Sequence, residues 1–232
     1  MKRIIYFLTI CLLGAYATSC DDNNSLHQKY IDQGEILYTG KVDSVKVIPG
    51  KDRVKFSWLI DADPRITKVV LYWDGRKESK EFEVNRTQPG VFQMDVSFDI
   101  PEGIYNFQLV TFDIDNNHSL PVNKNVSVYG DKYIASLMSR TVTSSKVSAE
   151  GNLTINWGLV ENEDVQYTTV YFTDYTNPTS PVNKSVQVEN LDTKTVIPNV
   201  KAGDSFSVVT TFLPKNALDA VESLSIEYTI LE

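Results

Sequence analysis

Across 232 residues, 30 aspartates and glutamates outnumber 22 lysines and arginines, for a formal net charge of −8. A surface of that sign repels a phosphate backbone, so nucleic acid is excluded as a partner, and electrostatic capture by anionic lipid is excluded with it. The two histidines, His27 and His118, stand far apart without metal-ligand spacing, and both cysteines, Cys11 and Cys20, fall within the first twenty residues.

The chain opens Met1-Lys2-Arg3 and then runs IIYFLTICLLGAYA, residues 4–17, without a charge. A basic start followed by a short apolar run is a secretory signal. The run is shorter than the roughly 20 apolar residues of a bilayer-spanning helix. Asp21 and Asp22 follow at once, with no basic stop-transfer cluster. Residues 1–19 are therefore expected to be cleaved as a signal peptide, the alternative being an uncleaved anchor. Ala17, Thr18 and Ser19 before Cys20 resemble the lipobox of bacterial lipoproteins, a pattern that prefers leucine where this chain has Ala17. That resemblance implies that Cys20 is a lipid anchor and the first residue of the mature chain. An ordinary cut near Ala17, leaving a free thiol, is the other reading. Cys11 departs with the signal, so Cys20 keeps no disulfide partner, which favours acylation. Acyl chains contribute about 0.8 kcal/mol per buried methylene, and several of them hold a protein on its membrane. Loss of Lys2 and Arg3 from the 22 basic residues leaves 20 against 30 acidic ones, a net charge of −10. Residues 20–40 begin as a polar tether, and IDQGEILYTG near their end is placed to pack on the first folded unit of the chain.

Two copies of one unit make up the remainder. RVKFSW at 53–58 reads against NLTINW at 152–157, and LYW at 71–73 against VYF at 170–172, both at an offset of 99. GIYNFQLVTF at 103–112 answers GDSFSVVTTF at 203–212 at an offset near 100. Ordered matches at a constant spacing are the mark of an internal repeat. Each unit reads as β. Val54, Phe56 and Trp58 alternate with Lys55 and Ser57, and Leu153, Ile155 and Trp157 with Thr154 and Asn156, the period of a half-buried strand. Tyr105, Phe107 and Leu109 repeat the pattern. PGKD, DADP, DGRK, QPG and DNNHS punctuate the runs as turns, which predicts short strands in an antiparallel sandwich. KNALDAVESL at 215–224 is expected to give a helical turn or two at most. The pattern breaks and restarts at Gly130-Asp131, placing one unit at 41–130 and a second at 131–232, joined by a short, stiff connection.

A tryptophan closing the second strand, a third strand of the form ITKVVLYW and a late Gly-x-Tyr-x-Phe-x-Leu strand resemble the fibronectin type III sandwich. The resemblance covers 43–129 and 134–230. It implies that Trp58 and Trp157 are core residues and that Tyr105 makes a corner hydrogen bond, with Phe206 standing at the corner position of the second copy. YTGKVDSVKVIPGKDRVKFSW, ADPRITKVVLYW, DNNHSLP and YGDKY are similar to a Bacteroidetes-type family of surface lipoproteins whose biochemical role is unassigned. That likeness implies an outer-membrane, cell-surface address, with the acidic pair after Cys20 as the export signal, and no particular activity.

Catalysis finds little footing. A serine nucleophile needs an oriented base, and there is no G-x-S-x-G motif, no phosphate-binding glycine loop and no His-Glu-x-x-His. The sequence therefore implies no cofactor and no metal. Asp113, Asp115 and Asn117 sit at calcium-loop spacing, but Lys124 stands where the closing glutamate belongs, so a plain turn is expected. Strand parity turns Trp58, Trp73 and Trp157 inward and leaves Tyr72, Tyr167, Tyr171 and Tyr175 as candidates for an exposed contact face, for glycan or protein. Asp43-Ser44-Val45 resembles the O-glycosylation motif of such bacteria, which implies a sugar on Ser44. The expectation is a lipid-anchored surface protein of two tandem antiparallel sandwiches, non-enzymatic, that binds a glycan or protein partner. A structural subunit of a surface assembly and a carboxylate-based glycan hydrolase are the alternatives.

Overall fold

The computed structural model describes residues 37–61, 63–86 and 90–231; the signal segment, Cys20, His27 and most of the tether lie outside them. From Thr39 onward the chain forms one compact unit. Its first seven strands are β1 (Asp43–Gly50), β2 (Arg53–Ile60), β3 (Ile66–Trp73), β4 (Glu78–Glu83), β5 (Phe92–Asp99), β6 (Gly103–Asp113) and β7 (Val122–Val128). They form two antiparallel sheets, β1-β2-β5 and β4-β3-β6-β7. After a short helix α1 (Asp131–Ser136), the plan repeats with β8 (Val142–Val147), β9 (Leu153–Trp157), β10 (Val165–Asp174), β11 (Val182–Val188), β12 (Lys194–Ile197), β13 (Ser205–Phe212), β14 (Val221–Glu222) and β15 (Ile226–Thr229). Here β8-β9-β12 make one sheet and β11-β10-β13 the other, with β14 and β15 both pairing with β13. Strands two and five share one sheet while three, four and six share the other. That is the fibronectin type III plan, carried out twice.

The alternation in the sequence fixes which side chains fill each sandwich. Val54, Phe56 and Trp58 of β2 are fully buried and meet Val69 and Leu71 of β3 and Phe107 and Leu109 of β6. Phe56 and Phe107 pack edge to face with centroids 5.0 Å apart, a favoured aromatic geometry. The second core collects Leu153, Ile155, Trp157, Val170, Phe206 and Val208 in the same positions. Tyr105 donates its hydroxyl to the carbonyl of Pro101 at 2.9 Å, the expected corner. Gly103 is what admits the ring: a Cβ there would lie 3.2 Å from Tyr105 Cε2.

Strand register corrects the second copy. Tyr72 of β3 faces Gln108, and its counterpart Tyr171 faces Ser207, so the offset in this strand is 99 rather than 100. Phe206 therefore matches Phe107, a core ring, and not Tyr105. It stacks on Tyr228 with centroids 5.3 Å apart, and the residue at the corner position is Asp204. Thr111 and Thr210, which stand at that offset, each anchor a buried hydroxyl network. The N–H of Thr111 donates to Ser119 Oγ at 3.1 Å, and that of Thr210 to Ser223 Oγ at 3.0 Å. Thr39 Oγ1 lies 2.8 Å from Thr111 Oγ1, and Ser139 Oγ lies 2.6 Å from Ser223 Oγ. Thr111 and Thr210 are fully buried, so each hydroxyl must find partners inside the protein.

The two sandwiches meet through specific contacts. The Asp219 carboxylate accepts from Arg53 Nε at 3.0 Å, from a second Arg53 guanidinium nitrogen, and from the Lys51 N–H at 3.0 Å. Tyr129 donates to the Asp219 carbonyl at 2.8 Å, and the Leu218 N–H donates to the Pro49 carbonyl at 2.8 Å. Beneath them Tyr129, Val165, Phe212 and Val221 form a small third core. The KNALDAVESL stretch supplies this docking loop and gives turns and β14 rather than a helix. Helix α1 arises instead, with the Glu102 carboxylate accepting from the N–H groups of Lys132 and Tyr133 at 2.8 Å each.

Candidate functional site

The turn between β3 and β4 positions one surface pocket of the first sandwich. Asp74, Gly75 and Arg76 all take left-handed backbone conformations, with φ of 47°, 62° and 68°. For residues with a Cβ this costs of order 1 kcal/mol or more each, and such strain concentrates where a loop must hold a shape. The turn folds Arg76 back over its own strand. Its Cζ lies 5.3 Å from the centroid of the Tyr72 ring, and its Nε donates to Gln108 Oε1 at 2.7 Å. Tyr72, Arg76, Ile104, Asn106 and Gln108 line a pocket of about 520 Å³. Ile104, Asn106 and Gln108 are alternate residues of β6 facing outward, so the sheet's pleat delivers all three to one surface. Asn106 Nδ2 donates to Asn125 Oδ1 at 2.6 Å, leaving its own carbonyl oxygen as an acceptor. Ile104 is 87% exposed, an apolar edge beside polar groups.

The four tyrosines singled out from the sequence do not form one platform. Tyr72 is half-buried on the first sandwich, and its ring supports Arg76 instead of standing open. Tyr167 and Tyr171 share the outer face of β10 on the second sandwich. Tyr171 is 44% exposed, beside the small side chains of Ser185 and Ser207. Tyr175 follows the end of β10, half-buried, and its hydrogen bond to the Asp204 carboxylate raises its hydroxyl above the usual range. Arg76, Asn106 and Gln108 were missed by sequence reasoning. The signal available was Asp74-Gly75, a turn dipeptide next to an arginine, but its pairing with β6 is non-local.

The remaining candidates resolve locally. Ser44 is exposed on a bulge of β1, with φ of 50° and its N–H held by the Asp43 carboxylate at 2.5 Å. Asp113 closes a turn by accepting from the N–H groups of Asp115 and Asn117 and from Asn117 Nδ2. These bonds, the last foremost, hold its carboxyl below the usual range. Arg65 holds the Asp63 carboxyl down at about 2, and Lys184 with Thr176 does the same for Asp174. Carboxylates fixed in the ionised form are the opposite of the raised carboxyl that a glycosidase acid requires. Among the described residues no three His, Cys, Asp or Glu converge to hold a metal ion.

Solved structures similar to the chain include the FN1–FN3 domains of chicken CNTN1, at 15% identity and a TM-score of 0.35, with 84% of this chain and 65% of that one covered. A two-domain fibronectin type III segment of chicken tenascin is similar at 15% identity and a TM-score of 0.34, with 83% of this chain and 100% of that one covered. No curated protein matches the chain. A family described as a domain of unknown function matches residues 20–221, which take in the first sandwich and most of the second. The chain belongs to this DUF4998 family.

Proposed function

We propose that the chain is a cell-surface lipoprotein, acylated on Cys20 and carried on the outer membrane, whose sandwiches act as a non-catalytic binding module for a glycan or protein partner. The observation that carries the binding role is the pocket of Tyr72, Arg76, Asn106 and Gln108. There a strained turn and one sheet face bring an aromatic-backed guanidinium and two amides to the surface beside an exposed isoleucine. Amides present donor and acceptor side by side, which suits hydroxyl groups that both give and take hydrogen bonds. Binding by loops and turns on a rigid β scaffold is the ordinary use of such folds. The fold leaves the chemistry to the site, and the strongly ionised aspartates named above serve local structure.

A glycan array probed with the purified chain tests the reading. Binding that falls at least tenfold for Gln108→Ala supports it, and retention of full binding by that variant moves the site elsewhere. For the anchor, cells labelled with radioactive palmitate should show label on the wild-type chain and none on Cys20→Ser; equal labelling of the two refutes acylation at that sulfur.

A structural role in a surface assembly is favoured by one separate feature. Met138 and Leu159 are 83% and 84% exposed, and they line a second pocket of about 330 Å³ beside the connection between the sandwiches.

A further inference from the structure

The pocket at Tyr72 has a property that composition alone would not suggest: it presents a cation without an anion. Among the described residues Arg53 and Arg65 are paired with Asp219 and Asp63. Arg86 donates to the carbonyl of Ile60, and Arg140 to the carbonyls of Gly158, Glu189, Asn190 and Asp192. Arg76 alone among these arginines meets neither a carboxylate nor a backbone carbonyl. Its Nε is taken by Gln108 Oε1 and its plane rests near the Tyr72 ring, so the two Nη groups are left for something else. The one acid in the same lining, Asp74, is turned to Lys77 Nζ at 3.6 Å. A guanidinium fixed on two sides has already lost much of its rotamer freedom, so an incoming anion pays less to order it.

The neighbouring atoms define the rest of the ligand. With its oxygen occupied by Arg76, Gln108 has its amide N–H groups to donate, while Asn106, donating to Asn125, keeps its carbonyl oxygen to accept. A donor and an acceptor side by side match neighbouring hydroxyls, and the terminal guanidinium nitrogens match a carboxylate in a two-pronged contact. Building on the binding role argued above, we propose that this pocket takes an acidic saccharide, a uronic-acid unit whose carboxylate pairs with Arg76 Nη1 and Nη2 while its ring hydroxyls meet Asn106 and Gln108. In a chain with a net charge of −8 the long-range field opposes this ligand, so recognition depends on contact-range pairing.

Isothermal titration of the purified full chain with oligogalacturonate, oligoglucuronate and oligomannuronate, each against its methyl ester, tests the proposal. The acids should bind at least tenfold more tightly than their esters. Arg76→Gln should erase that preference while leaving the urea midpoint unchanged, because the side chain is exposed, and Arg76→Lys should keep part of it. Equal binding of acids and esters, or an acid preference that survives in Arg76→Gln, overturns the acidic ligand and leaves glycan binding standing. Binding of acidic peptides with none of the saccharides overturns it in favour of a protein partner. No binding to saccharide or peptide overturns this proposal and the binding role together.

Discussion

Trp58 and Trp157 fill the same place in the two copies with different chemistry. Trp58 is wholly buried and its Nε1 has no hydrogen-bond partner among the described residues, whereas Trp157 donates to Thr195 Oγ1 at 2.8 Å. Trp58→Ala removes a large buried ring and should cost about 3–5 kcal/mol in a urea unfolding titration; a loss below about 1 kcal/mol would mean that the ring is not core. Tyr105→Phe deletes only the bond to Pro101 and should cost about 1 kcal/mol by the same measure. Both tryptophans were legible because a period of two needs only a handful of neighbours. The lowered aspartates set the acid behaviour. Asp63 and Asp174 have folded-state pKa values of about 2 against an ordinary 3.8. Their contribution is complete above the ordinary value and is lost as pH falls from about 4 toward 2. Stability should fall across that window, and Asp174→Asn should flatten the fall.

At the level of elements, β2 and β9 were readable because each alternates between core and solvent, as does the Tyr105–Leu109 stretch of β6, whereas β3 buries Val69, Val70 and Leu71 in succession. Setting Phe206 at the place of Tyr105 implies an offset of 101, two residues beyond the 99 that the sheet sets. A two-residue slip leaves a side chain on the same face, so alternation by itself could not expose that error. Helix α1 and the docking loop were not readable because their partners, Glu102 and Arg53, are distant in sequence. Arg140 is a further element that only the fold explains. It is 7% exposed, rests 5.4 Å from the centroid of the Trp157 ring and holds four carbonyls of the loops after β9 and β11. Arg140→Ala should cost about 2–3 kcal/mol, since it leaves those carbonyls short of a charged donor. Hydrogen exchange should rise first in residues 189–193, and unchanged exchange there would remove the arginine from its role as a strut.

The whole molecule depends on how its repeats are joined. Asp219 gathers Arg53, Lys51 and Tyr129 around one carboxylate and its own backbone, above a small apolar cluster. Exposed ion pairs contribute little to stability, so Asp219→Ala should barely move the melting temperature. Its effect belongs to orientation: residual dipolar couplings should fit one alignment tensor for both sandwiches in the wild type and two in the variant. A joint of this kind keeps the Tyr72 pocket at a fixed bearing to the second sandwich.

Amide chemical-shift mapping of the isotopically labelled chain, titrated with the tightest saccharide of the uronate panel, bears on the binding site most directly. Binding at the pocket predicts shifts concentrated at Tyr72, Arg76, Asn106 and Gln108, which in Arg76→Gln need at least tenfold more saccharide to appear. Shifts centred instead on Met138 and Leu159, or no shifts at saturating saccharide, would contradict it.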